Sequence, residues 1–218
     1  MGISLQKGQS IDLRKKATGG EYNLSSVTIG LGWDVRKKGN FFSNLPGSSD
    51  EYDLDAIAFL LNANGKVADR GRMVRQTGRD INLFGGDIIY FNSLKHPSGN
   101  IWLTGDNRTG EGEGDDEQII VKLDQLDQKY QKILFLVTIY RGERNQQHFG
   151  MVENAFIRAV DHNGVEIAKF SLSGNKTLEQ MHGMIFAEIY RSEGTWKFRA
   201  IGEPKTTDNF VHILKDYL

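Results

Sequence analysis

The chain has 218 residues, 39% hydrophobic and 25% charged, and its 27 basic and 28 acidic side chains leave a net charge of −1. It contains no cysteine, which excludes disulfides, thiolate zinc sites and cysteine nucleophiles. A mean hydropathy of −0.45 and a pI near 6.5 argue against apolar spans of roughly 20 residues and against binding nucleic acid by bulk charge.

The N-terminal Met1-Gly2-Ile3-Ser4-Leu5-Gln6 lacks the apolar core of a secretory signal, and Gln6 stands where N-myristoylation wants Ser or Thr. The expectation is a cytoplasmic protein. Three prolines, 25 glycines and many short Val/Ile/Phe/Tyr runs point to a mainly β fold with a few short helices. In chain order, strands are expected at 26–31, 56–61, 88–92, 100–104, 119–123, 133–139, 155–160, 166–172, 185–190 and 195–201. Helical spacing is rarer. Leu123, Leu126, Tyr130 and Ile133 suggest one short helix and 178–185 a second. Asp208 is placed to cap a C-terminal helix with Phe210, Ile213, Leu214 and Tyr217 on one face.

Two segments repeat at a constant offset. Residues 55–65 and 154–164 each read as a polar residue and Ala, then an apolar run, then Asn-Gly. Asn-Gly between apolar runs signals a hairpin, because a type I′ turn needs positive φ at both central residues. Upstream, Val27-Thr28-Ile29 is echoed by Val137-Thr138-Ile139. A duplicated unit of this kind gives a two-sheet β-sandwich about a pseudo-twofold axis. The plainer alternative is two unrelated hairpins.

The most unusual segment is 106–117. It holds six carboxylates, alternating glycines and one arginine, a local charge of −5 in a protein whose total is −1. Like charges this dense call for a multivalent cation, and an all-oxygen donor set suits a hard ion such as Ca²⁺. The plainer reading is a solvated acidic loop. The segment is no EF-hand: Arg108, Gly110 and Glu111 occupy loop positions 3, 5 and 6, where the motif needs two oxygen side chains and a glycine. The first repeat adds Asp34, Asp53 and Asp55, and residues two apart on a strand share a face. The second repeat has Val152 and Asn154 where the first has Asp53 and Asp55. Metal is therefore expected on the first copy's side.

Gly30-Leu31-Gly32-Trp33-Asp34, Asp53-Leu54-Asp55-Ala56, the run Gly105 to Glu117, and Val152-Glu153-Asn154-Ala155-Phe156-Ile157-Arg158 closely resemble the TerD family of tellurite-resistance and bacterial stress proteins. Glu188-Ile189-Tyr190-Arg191 and Trp196-Lys197-Phe198-Arg199-Ala200 are similar to it as well. The resemblance covers roughly residues 1–202, leaving 203–218 as a helical tail packed on the same domain. It implies a β-sandwich that binds two Ca²⁺ ions without catalysis, among other stress-resistance proteins near the inner membrane face. The ligands it implies are Asp34, Asp55, Asp106, Asn107, Asp115, Asp116 and Glu117, with Asp53, Glu113 and the Gly110 and Gly112 carbonyls as second choices.

Other functions find less support. The histidines fall in no catalytic motif, and Mg²⁺-dependent phosphoryl chemistry uses fewer carboxylates and more waters. A basic stretch with Arg70, Arg72, Arg75 and Arg79 suits anionic lipid or an acidic protein. A nucleic-acid- or nucleotide-associated metal protein is the alternative reading, and the near-neutral net charge disfavours it.

Overall fold

The computed structural model describes residues 2–16, 19–35, 52–75, 81–104, 114–172 and 178–218. Two six-stranded sheets dominate it. The first is built from β1 (Ile3–Leu5), β3 (Val27–Val35), β8 (Ile101–Leu103), β9 (Glu117–Val121), β11 (Val152–Val160) and β12 (Glu166–Leu172). The second takes β2 (Ser10–Asp12), β4 (Leu54–Leu61), β7 (Ile88–Ile89), β10 (Lys132–Ile139), β13 (Gly183–Ser192) and β14 (Thr195–Lys205). A separate ribbon pairs β5 (Arg72–Arg75) with β6 (Ile81–Phe84), and the α-helices among the described residues are α1 (Gly142–Asn145) and α2 (Phe210–Leu214).

The sheet orders carry the duplication. One sheet contains β8-β9-β3-β11-β12 and the other β14-β13-β10-β4-β7, position for position. β3 therefore corresponds to β10 and β4 to β11, each copy crossing into the other's sheet. The outermost hairpins differ in chain order, since β8 precedes β9 but β14 follows β13. The repeated turns match in detail. Asn62 N–H donates to Lys66 O and Asn62 O accepts from Gly65 N; Asp161 does the same with Val165 and Gly164. Asn62 Oδ1 accepts from the Asn64 and Lys66 amides, as Asp161 Oδ1 does from Asn163 and Val165.

These turns are not type I′. Of their loop residues only Gly65 (φ 72°) and Gly164 (φ 78°) have positive φ, so each is a three-residue turn closed by a glycine bulge. The type I′ hairpin lies elsewhere, at Glu193-Gly194 (φ 53° and 76°) between Ser192 and Thr195.

Val27, Ile29, Leu31 and Trp33 of β3 meet Leu54, Ala56, Ala58 and Leu60 of β4 and Ile133, Phe135 and Val137 of β10 in the core between the sheets. The opposite faces of β4 and β10 are buried too. Ile57, Phe59, Leu61, Leu134 and Leu136 form a second core with Ile213 and Leu214 of α2. Burial on both faces is why β4 reads as an unbroken apolar run from Ala56 to Leu61. Phe210 and Tyr217 lean on the Phe59 ring at centroid distances of 6.4 and 5.9 Å.

All ten expected strands are present, 166–172 with the ends expected and the others with shifted ends. Two expected helices are not. Residues 123–133 keep only a 3₁₀ turn at Leu123–Gln125, and the Arg191 guanidinium pins the rest by donating to the Leu126 and Tyr130 carbonyls. The 178–185 stretch turns and enters β13, whose first seven residues are all buried. The C-terminal helix forms, but Asn209 caps it by accepting from Val211 N at 3.0 Å; Asp208 accepts instead from Glu143 N.

Candidate functional site

The acidic residues are organised by the strip Gly30-Leu31-Gly32-Trp33-Asp34 of β3. Leu31 is in register with Glu117, and residues 114–116 run on over the strip. Asp116 N donates to Leu31 O at 2.7 Å, and Asp116 Oδ2 accepts from Trp33 N at 2.9 Å. The chain lies this close because glycines clear the way. A Cβ on Gly30 would collide with the Asp115 carboxylate, and one on Gly32 with the Phe156 ring and the Gly114 carbonyl.

Asp115 is 2% exposed at its side chain. Its Oδ1 accepts from Arg158 Nε at 2.7 Å and its Oδ2 from Gln118 Nε2 at 3.3 Å. Arg158 also reaches Glu166 at 3.5 Å. The hydrogen bond to Asp115 holds the guanidinium pKa up, against the pull of burial. Asp34 is exposed and accepts from Asn154 Nδ2 at 2.7 Å. Asn154 sits at φ 52° where the β11–β3 register slips. Burial, then the Asp34 and Asp115 charges, push the Asp116 carboxyl above its ordinary pKa even though the Trp33 amide opposes them. Three carboxylates thus share one neighbourhood.

The other expected ligands are placed differently. Glu117 is buried, and its Oε2 accepts from Ala56 N at 2.5 Å, tying the first sheet to β4 of the second. Asp53 precedes β4, and its carbonyl accepts from Tyr140 N. Asp55 is buried on the outer face of β4, where it lines a cleft. Asp106, Asn107, Gly110, Gly112 and Glu113 lie outside the described residues. Among the described residues, no three acidic or histidine side chains group closely enough to hold a metal by themselves. Arg70 and Arg72 are exposed, as is Met73 beside them; Arg79 lies outside the described residues.

Sequence reasoning missed Arg158 and Asn154. Arg158 is a lone cation in an apolar strand, a pattern with a weak signal of its own. Asn154 stands in the repeat where the first copy has an acid, yet its amide is bound to Asp34 of the first copy.

A catalytic look-alike exists at Asp87, His96 and Ser98. His96 Nε2 lies 3.2 Å from Asp87 Oδ1, and Nδ1 lies 2.8 Å from Ser98 Oγ. Nδ1 also accepts the Ser98 backbone N–H at 3.0 Å, so its lone pair is shared between that amide and the hydroxyl in a local turn. Tyr130 OH donates to the same Asp87 oxygen at 2.6 Å. Asp87, His96 and Tyr130 are buried and form a structural network.

The sequence matches the TerD domain family over residues 1–75 and 81–217. The chain belongs to the TerD family. The match includes the tail beyond residue 202, which the sequence resemblance had left aside. Among similar proteins, tellurium resistance protein TerX of Serratia marcescens is 56% identical over 100% of both chains. Stress response protein SCP2 of Bacillus subtilis is 42% identical, again over 100% of both. A solved homologue of the telluride resistance protein TerD from Streptomyces coelicolor shares the fold at a TM-score of 0.57, with 23% identity over 87% of this chain and 95% of that one. The TerD fold here is a mainly β sandwich, and its relatives are tellurium-resistance and stress-response proteins.

Proposed function

We propose that this TerD protein is a Ca²⁺-binding stress-response protein that acts without catalysis, as a calcium-dependent binding or scaffold module near the inner membrane face. The observation that carries the reading is the gathering of Asp34, Asp115 and Asp116 on a strip of β3 where Gly30 leaves room for a carboxylate. Such a gathering of like charges is stable when a hard cation joins it. Every candidate donor is an oxygen, so the residues present fit calcium. Asp34 and Asp116 would hold the ion, joined by donors from 106–113, and a second ion would share the same loop. Asp115, engaged by Arg158, would anchor the loop's end. Bound calcium would supply charge neutralisation.

No helix among the described residues is long and apolar enough to cross a membrane. The exposed Arg72 of β5 and Arg70 just before it would meet an anionic lipid or acidic partner. The test is thermal melting in EGTA and in millimolar Ca²⁺. A ligand that binds only the native state stabilises by about 2.7 kcal/mol at a hundredfold excess over Kd. The wild type should gain this and Asp116→Asn should lose most of it. Superimposed wild-type curves would end the calcium reading.

A further inference from the structure

A cleft lies on the far side of the second sheet. Outward side chains run Asp55, Ile57, Phe59, Leu61 along β4 and Leu134, Leu136, Thr138 along β10. The apolar members lie in the core under α2. Asp55 and Thr138, directly opposite in register and 7% and 3% exposed, instead help form a cleft of about 600 Å³. That volume falls within the range of small-molecule sites. Phe91 and Tyr140 line it while remaining 37% and 40% exposed, edge to face at 6.5 Å. Arg141 follows with φ 53° and lays its guanidinium over the Tyr140 ring at 4.9 Å. Lys215, Asp208 and His212 are the other acidic and basic side chains that line it.

Each part asks for a particular chemistry. A buried carboxylate beside a hydroxyl, walled by aromatic rings, suits an ammonium. Exposed rings suit an apolar body, and an arginine fork held on a ring suits a carboxylate. The charges decide between ligand classes. Asp55 and Asp208 balance Arg141 and Lys215, so a nucleotide with two or more negative charges meets no net attraction. A simple amine leaves both cations unused.

We infer that the cleft binds a zwitterion of the amino-acid or short-peptide class. Its ammonium meets Asp55 and Thr138, its body lies against Phe91 and Tyr140, and its carboxylate meets Arg141. This goes beyond the calcium reading and assigns Asp55 to a ligand other than the ion proposed for Asp34 and Asp116. The test titrates the full chain with the dipeptide glycyl-tyrosine, followed by amide NMR shifts in EGTA and repeated in Ca²⁺. Saturable shifts at residues 138–141 are expected in both buffers, whatever the calcium titration shows. N-acetylation or C-amidation of the dipeptide should weaken binding by about tenfold or more. Arg141→Gln should do the same with an unchanged melting temperature. Equal binding of the blocked dipeptides would overturn the inference. So would tighter binding of putrescine or AMP, or the absence of saturation at about 10 mM dipeptide.

Discussion

Removing Arg158 is the sharpest test of how the acidic segment is anchored. Its Nε–H bond to Asp115 spans 2.7 Å, and the two side chains are 30% and 2% exposed. Deleting one partner of a fully buried pair costs about 3–5 kcal/mol, whereas an exposed pair is worth about 0–1. With one partner buried and the other partly wet, Arg158→Met should cost about 2 kcal/mol. For a chain of this size that is a fall of roughly 4–8 °C in Tm. Asp115→Asn alone should cost about as much, because it strands the guanidinium. The double variant Arg158→Met/Asp115→Asn should lose clearly less than the sum of the two, since no charge is left uncompensated. Thermal melts of the four proteins in EGTA read this directly. A single Arg158→Met variant within about 1 °C of wild type, or strictly additive losses, would refute the anchoring argument.

Phe59→Ala, which empties the centre of the core under α2, should cost about 3–5 kcal/mol and strip hydrogen-exchange protection from residues 210–214 before the rest of the sandwich; uniform loss of protection would count against a separate outer core. Burial raises the Asp87 carboxyl, but bonds from His96, Tyr130 and the Asp69 amide together hold it below its ordinary value. Its stabilisation is therefore present above the unfolded pKa of about 3.9 and is lost as pH falls through the lower folded value. Denaturant titrations from pH 6 downward should show Asp87→Asn losing less stability in that acid window than wild type, and parallel slopes would contradict the sign. Gly194→Ala, at φ 76° in the type I′ turn, should destabilise by about 1 kcal/mol or more, whereas Gly2→Ala should instead disturb the β1 edge against Glu166; equal effects on the β13–β14 amides by NMR would disprove this placement of strain.

The sheets were legible because each long strand carries its own apolar run, and the repeat showed through the shared Asn-Gly turns. What failed was local. The 3.6-residue spacing of Leu123, Leu126, Tyr130 and Ile133 reflects side chains buried one by one along an irregular stretch held by Arg191. The 178–185 run could be helix or doubly buried strand by pattern alone, and burial on both faces decided for strand. β1, β2, β5 and β6 span only three or four residues each, too few for an alternation to register. At the site, the glycine-flanked β3 motif and Asp115–Asp116 were visible as sequence. That Gly30 exists to admit a carboxylate, and that an arginine 43 positions away engages it, are facts of register between β3, β9 and β11. No local pattern records them. The 106–113 part of the motif, with Asp106, Asn107, Gly110, Gly112 and Glu113, lies outside the described residues.

The central claim is that the carboxylates on β3 and in the acidic segment bind calcium selectively. Calorimetric titration of chelator-stripped protein with Ca²⁺, and separately with Mg²⁺, tests it most directly. The account predicts saturable Ca²⁺ binding at a stoichiometry of about two ions, at least tenfold weaker Mg²⁺ binding, and loss of at least one site in Asp116→Asn. Absence of Ca²⁺ heat, equal affinity for Mg²⁺, or an unchanged isotherm in Asp116→Asn would contradict it.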